Sequence, residues 1–224
     1  RAAMLTRAPS FEEAAAEIFA SAAKGRVVVG DAGDNPGSGG VANVADIFAA
    51  LAAQALPFAA GFMVDGDAVK AAQAIGVGNR GVVPMGMMKD GKPFAREVTV
   101  ERVGVVEYRN EGPNLHGELL EGGPGAVVRV GDHGHIAIVS ERIQAYDTQA
   151  FRSQGVVLEN KAVIHVKSSN HFRSAFTPLA TGGVFVVDSG GWASTDARRF
   201  PFTRRATRIL PLADLDKAEW DRQV

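Results

Sequence analysis

The sequence predicts an α/β fold: a mixed sheet whose parallel portion is flanked by helices, with an antiparallel β excursion over residues 85–140. Two observations support the parallel portion. Short β-branched runs at 26–29, 162–166 and 184–187 each end in a polar loop, and helical patterns alternate with such runs. A third observation, valine-rich and isoleucine-rich runs separated by glycine turns, predicts the excursion.

The first element is an amphipathic helix. Ser10 and Glu13 match a capping box, and apolar residues recur at helical spacing up to Gly25, where the pattern ends. Residues 26–29 then predict a buried strand, and a glycine-rich loop follows. Apolar spacing over residues 41–52 predicts a second helix, so this part is a strand–loop–helix unit.

The α/β alternation continues to about residue 80. Residues 57–63 predict a second strand, and residues 67–75 a third helix that ends at a glycine. The character then changes, because the next apolar runs are short and rich in β-branched residues. Runs at 98–106, 126–130 and 136–139 predict an antiparallel meander.

The last part returns to the α/β pattern. Residues 147–155 predict a short helix, residues 162–166 a strand, residues 172–179 a helix and residues 184–187 a strand. Prolines break the remaining residues, where a weak helix is expected near 214–221.

Composition limits the function classes. The 224 residues are 46% hydrophobic, enough for one large domain, and the net charge of −1 gives no global reason to bind nucleic acid or an anionic membrane. No apolar stretch reaches the ~20 residues of a membrane span. Without cysteine there are no disulfides or thiolate ligands, so a cytoplasmic location is expected. One arginine cluster suits a tail over acidic surface better than a nucleic-acid site: Arg198, Arg199, Arg204, Arg205 and Arg208.

The loop over residues 31–40 is the first candidate site. Its glycines, Gly39 among them, allow successive backbone N–H groups to face an anion. Asp31 and Asp34 can instead accept those N–H groups themselves, which would make the loop a self-contained turn. The spacing matches neither a phosphate-binding P-loop nor a dinucleotide fingerprint, so a ligand or interface role and a structural role, with Asn35 included in either, both stay open.

Two further polar loops, residues 167–173 and 188–191, lie at the same predicted end of the sheet. In the loop at 167–173, helix capping by Ser169 or Asn170 explains some of the polar residues, but it does not explain His171 and Arg173 together. These two side chains could bind an anionic group, or they could pair with aspartates from the neighbouring strand ends. The candidate residues of the two loops are Lys167, Ser168, His171, Arg173 and Asp188.

The histidines give weak metal signals. His133 and His135 flank a glycine between two β runs, where a tight turn is the simpler explanation. His116 is isolated, and His165 lies in an apolar strand as a core or edge residue. Metal-ligand spacing and a nucleophile elbow are both absent from the sequence.

At these loops the chain resembles the C-terminal domain of the microcystinase C (MlrC)-like family of zinc-dependent metallopeptidases or amidohydrolases. Residues 31–39 read Asp-Ala-Gly-Asp-Asn-Pro-Gly-Ser-Gly, with serine replacing one family glycine. Residues 167–176 read Lys-Ser-Ser-Asn-His-Phe-Arg-Ser-Ala-Phe and match the family motif in full. The segments at 129–145 and 187–190 and an arginine-rich tail follow in the family's order, whereas residues 40–43 depart from the usual Gly-Asp-Thr-like segment.

The resemblance implies a two-domain enzyme. It makes residues 1–224 the C-terminal domain, and it places the zinc ligands in an N-terminal metal-binding domain that this chain does not contain. The substrate would be a peptide or amide, and the chain alone would be inactive. Arg173, His171 and Lys167 would hold a carboxylate or the developing oxyanion, while Asp31, Asp34 and Asp188 would orient these cations or contact the partner domain.

Two other function classes remain. The chain could be a non-enzymatic module that binds a small anion or forms a homo-oligomer, with the polar loops as structural networks. It could also be an autonomous metallohydrolase that uses His133 and His135, which would require stoichiometric zinc in this chain.

Overall fold

A computed structural model describes residues 7–203 of the protein. The strands are β1 (Val27–Asp31), β2 (Phe58–Val64), β3 (Arg80–Met85), β4 (Phe94–Arg109), β5 (Leu119–Val130), β6 (Gly134–Val139), β7 (Val163–Val166) and β8 (Gly183–Val187). They form one mixed sheet in the order β3-β4-β5-β6-β2-β7-β1-β8. Five neighbouring strands, from β6 to β8 in that order, are parallel, and β3 to β6 pair antiparallel in sequence order.

Helices cover both faces of this sheet. The α-helices are α1 (Phe11–Ala22), α2 (Asp46–Ala52), α3 (Gly66–Ile75), α4 (Gln149–Arg152) and α5 (Arg173–Phe176). Short 3₁₀ turns lie at Pro36–Ser38, Thr177–Leu179 and Ala197–Arg199. The fold class predicted from the sequence is therefore confirmed.

Alternation along the strands divides the buried residues into two cores. In β1, Val27 and Val29 pack with α1, α2 and α3, whereas Val28 faces the other side with α4 and α5. All three valines are completely buried, as expected for a central parallel strand covered on both faces. Because helices cover both faces of the parallel sheet, the ends of its strands are the places that the helices leave uncovered.

The predicted elements are found with shifted ends. The capping box of Ser10 and Glu13 begins α1 as expected. The predicted start of the second helix at residue 41 is wrong, because α2 begins at Asp46. The residues before α2 are not helical. Ala42 has a left-handed backbone with φ of +65°, and Val44 forms a β-bridge with Met87. The expected helix at 214–221 lies outside the described residues.

The antiparallel excursion merges with the parallel sheet instead of standing apart from it. Strand β6 pairs antiparallel with β5 and parallel with β2, so one continuous sheet runs through both portions. The excursion begins at Arg80, slightly before the predicted boundary, with the paired strand β3. Within residues 7–203, no helix is long and apolar enough to cross a membrane.

Candidate functional site

A buried lysine joins the loops that follow β1 and β7. The Lys167 side chain is 1% exposed, and its ammonium donates to Asp34 Oδ2 at 2.8 Å and to Asp31 Oδ2 at 3.3 Å. A third bond of 2.9 Å reaches the carbonyl oxygen of Val44. An ammonium group has three N–H donors, and these oxygens use all of them. Lys167 thus has no donor left for the substrate oxygen expected from the sequence.

The two aspartates also bind the backbone of their own loops. Asp34 accepts the N–H groups of Ala42 at 2.8 Å and of Val44 at 2.7 Å. Asp31 Oδ1 accepts from Gly33 at 3.0 Å and from Ser189 at 3.1 Å, across to the loop after β8. These bonds hold residues 42–44 outside the helix and explain why α2 begins late. The carboxylates therefore form a self-satisfied framework rather than a free anion-binding nest.

Asp188 organises the third loop in the same way. Its carboxylate accepts from Gly190 N at 2.8 Å, from Ser194 Oγ at 2.8 Å and from both the N–H (2.8 Å) and the hydroxyl (3.0 Å) of Thr195. The loop also packs closely on the first loop, because a Cβ atom at Gly33 would lie 2.1 Å from Asp188 Oδ1. The three predicted loops do meet at the carboxyl ends of β1, β7 and β8.

The smaller polar residues complete the framework. Asn35 Oδ1 accepts from Gly37 N at 2.9 Å, and its amide donates to Ser169 Oγ at 3.2 Å. The buried Ser168 hydroxyl accepts from Gln144 Nε2 at 2.7 Å. Gly39 has φ of +91°, a left-handed conformation that ends the 3₁₀ turn and favours glycine. Asn35, Ser168 and Gly39 accordingly shape the loops from within.

His171 and Arg173 differ from the rest of their motif, since both are exposed. His171 contacts the Tyr146 ring at 5.6 Å between centroids, and the Arg173 guanidinium lies 5.7 Å from the centre of the Phe172 ring. Neither side chain forms an ion pair with another described residue. The expected pairing with the aspartates is absent, and no side chain caps α5, so the capping predicted for Ser169 or Asn170 is also absent.

His165 lies beneath the network. It is fully buried, contacts Phe48 edge-on at 5.0 Å, and has no hydrogen-bond partner on either ring nitrogen among the described residues. Burial, followed by the nearby Lys167 ammonium, lowers the pKa of His165 well below its usual 6.5, although Asp34 opposes the shift. The imidazole is thus neutral at physiological pH.

His133 and His135, the two histidines considered for a metal site, lie at a turn at the opposite end of the sheet. The β5–β6 hairpin turns at residues 131–133, as predicted. Lys161 donates to the His133 carbonyl at 3.1 Å and contacts His135 Nδ1 at 2.8 Å, while His135 Nε2 lies 3.1 Å from Glu101. Across residues 7–203 no group of three or more potential ligands is placed to hold a metal ion. The described residues do not fit a zinc site.

A cleft of about 460 Å³ opens beside the buried network. The loops after β1, β3 and β8 line it, together with residues 199–201, whereas none of residues 167–173 does. Sequence reasoning missed its main features, because Arg199 was assigned to a tail and Trp192 was not considered. Two bulky aromatics near a Gly-Gly pair at a strand end were the available signal. The lining residues include Met87, Lys89, Ser189, Trp192, Arg199 and Phe200.

The fold is similar to that of a longer protein of known structure. The structure described as "Putative metallopeptidase from Mesorhizobium sp. BNC1" superposes with a TM-score of 0.80 at 21% sequence identity. The match covers 94% of this chain but 42% of that one, so the chain spans about two fifths of its length. At this identity the likeness shows the fold alone. A search of curated proteins gives no match.

The family follows from the sequence profile. The profile described as MlrC C-terminus matches residues 29–204, which include all three polar loops and most of the sheet. The chain therefore belongs to the MlrC C-terminus family, and the resemblance noted in the sequence is confirmed.

Proposed function

We propose that this chain is the C-terminal domain of a zinc-dependent peptidase or amidohydrolase of the MlrC type. In this proposal, the loops at the carboxyl edge form a wall of the substrate cleft and a surface for an N-terminal metal-binding domain. The family match and a metallopeptidase-titled structural neighbour that is longer than this chain support the assignment. The zinc ligands would lie in the N-terminal domain, as the family resemblance implies.

One contrast within the motif at 167–176 carries the proposal. Lys167, Ser168 and Phe172 are buried: Lys167 joins two loops, Ser168 bonds Gln144, and Phe172 packs in the core. His171 and Arg173 are exposed at the same edge and lack ion pairs within the described residues. A structural network does not require two free cationic or polar groups at its rim. They are suited to contact a substrate carboxylate or the oxyanion that develops during hydrolysis.

The division of labour follows from these positions. Zinc held by the N-terminal domain would supply the hydrolytic chemistry on a peptide or amide bond. This domain binds and orients the substrate, and the Asp31–Lys167–Asp34 network keeps the edge rigid. The isolated chain is expected to be inactive. A cytoplasmic location is proposed from the absence of cysteine in the sequence.

The test is Arg173→Ala in the full-length protein, with kcat/KM on a peptide panel and the melting temperature both measured. Loss of an oxyanion-stabilising donor lowers kcat/KM by about a hundredfold. The melting temperature should not change, because the side chain is exposed. Arg96→Ala is the matched control, since Arg96 stacks on Phe94 at 5.9 Å but lies on the antiparallel strand β4.

The opposite pattern supports the non-enzymatic alternative. If Arg173→Ala lowers the melting temperature and leaves kcat/KM at the level of the Arg96→Ala control, the motif is structural. If the full-length protein hydrolyses no peptide or amide, the chain is better described as a module for a small anion or for homo-oligomerisation.

A further inference from the structure

The cleft beside Trp192 has the size and walls of a ligand site. Its volume of about 460 Å³ lies within the range of roughly 300–1,000 Å³ typical of small-molecule sites. The buried network positions its walls: Asp34 holds residues 42–44, and Asp31 holds the backbone of Ser189. Two of its walls are therefore loops at the carboxyl ends of the parallel strands β1 and β8, where α/β sheets bind ligands.

One wall is an exposed aromatic shelf. Trp192 is 72% exposed and stacks with Phe200, with ring centroids 6.2 Å apart and an interplanar angle of 17°. Met87, 44% exposed, also lines the cleft. Large apolar side chains grouped in this way at a cleft indicate a surface that contacts an apolar group.

The charged side chains that line the cleft are of one sign within residues 7–203. They are Lys89 and Arg199, and no aspartate or glutamate of these residues lines it. Lys89 already bonds Glu12 at 2.6 Å. The Arg199 guanidinium lies 3.9 Å from Asp188 Oδ1, which is beyond hydrogen-bond distance. The Asp188 carboxylate already accepts hydrogen bonds from its own loop. Arg199 thus offers N–H donors that suit a carboxylate.

We propose that this cleft binds a large apolar side chain that stands next to a free carboxylate, as at the C-terminal residue of a peptide. The aromatic shelf would take the side chain, and Arg199 would take the carboxylate. That the ligand is a peptide rests on the proposed function, whereas the apolar group and the carboxylate follow from the cleft itself.

The experiment uses Trp192 as the reporter. The sequence has two tryptophans, so Trp220→Phe leaves Trp192 as the single emitter. The 224-residue chain is titrated with N-acetyl-L-phenylalanine, with its amide and with N-acetylglycine. We expect a saturable fluorescence change with the first, and binding about tenfold weaker for the amide, which lacks the charge that strengthens a guanidinium bond. N-acetylglycine, which has no apolar group, binds more weakly still.

Two variants test the assigned cation. Arg199→Met weakens binding of N-acetyl-L-phenylalanine about tenfold and leaves the amide unchanged. Arg198→Met is the matched control, because Arg198 bonds Asp196 and does not line the cleft. Methyl NMR of Met87 and Met88 repeats each titration, since fluorescence can stay silent when a ligand binds.

Several results overturn the proposal. The first is that neither fluorescence nor NMR shows a saturable change. The second is that the acid and the amide bind with equal affinity, and the third is that Arg199→Met and Arg198→Met have equal effects on binding. Hydrolysis by the full-length protein is measured separately. Probe binding without any hydrolysis supports the cleft and contradicts the proposed function, and hydrolysis without probe binding does the reverse.

Discussion

Removing the buried ammonium should be among the most damaging single changes in this domain. Lys167→Met keeps much of the side-chain volume but leaves the carboxylates of Asp31 and Asp34 buried without their shared cation. Breaking a buried ion pair from one side typically costs about 3–5 kcal/mol. Each carboxylate keeps two backbone N–H donors, so the lower part of that range is expected.

The assay is urea denaturation at pH 7, with thermal melting beside it. A loss of 3 kcal/mol corresponds to roughly 6–12 °C in Tm for a domain of this size. Lys89→Met is the matched control, because Lys89 pairs with Glu12 at a site where both side chains are about half exposed. This control should lose less than about 1 kcal/mol. Similar losses for the two variants would refute the buried network as the connection between the loops.

A double-mutant cycle separates the pair from general damage. Asp34→Asn removes one of the two charges that Lys167→Met leaves unpaired. The double variant should therefore lose less stability than the sum of the single variants, by about 1 kcal/mol or more. Strict additivity would show that the 2.8 Å contact contributes no coupling energy.

The remaining predictions concern a buried histidine and a close-packed glycine. Because burial and Lys167 lower the pKa of His165 well below 6.5, the unfolded chain takes up a proton below that pH and the folded chain does not, so stability falls as pH falls. His165→Leu cannot titrate, and in urea denaturation it should gain about 2 kcal/mol relative to the unmodified chain between pH 7 and pH 5; a pH-independent difference would contradict this. Gly30→Ala would place a Cβ atom 2.4 Å from the Phe172 ring and should lose about 1–3 kcal/mol, whereas Gly66→Ala, with its nearest contact at 3.7 Å, should not destabilise α3. Equal stabilities of the two alanine variants would show that the loops can separate at no cost.

Local pattern was enough to predict most of the sheet. The β-branched runs of β1, β7 and β8 are short, apolar and followed by polar loops, and these three strands do lie parallel and adjacent. The capping box at Ser10 and the hairpin turn before Gly134 depend on neighbouring residues alone, which is why both were predictable. The sequence also identified the three loops that meet at the carboxyl edge.

The predictions were wrong where residues distant in the sequence determine the local structure. Helix α2 begins late because Asp34 accepts hydrogen bonds from the N–H groups of Ala42 and Val44, and the spacing of apolar residues gives no sign of these bonds. The same holds for Lys167, whose carboxylate partners lie more than a hundred residues away. Its motif matches the family as one continuous segment, but burial divides it into a framework and an exposed rim of His171 and Arg173.

The cleft was not predictable for a related reason. Its walls come from four separate segments, and two of these follow β3 and β8, which lie at opposite ends of the strand order. Arg199 does not belong to a sequence motif. Its proposed contact with a ligand carboxylate depends on Asp188 already accepting hydrogen bonds from Ser194 and Thr195. Sequence spacing gives no information about such saturation of a carboxylate.

The most direct test of the central claim is a parallel measurement of zinc content and peptide hydrolysis for the native gene product and for the 224-residue chain. We expect about one zinc per chain and zinc-dependent hydrolysis for the native product, and neither zinc nor hydrolysis for this chain alone. Stoichiometric zinc in the 224-residue chain, or hydrolysis at the native rate without the rest of the protein, would contradict its assignment as the non-metal domain of a two-domain enzyme.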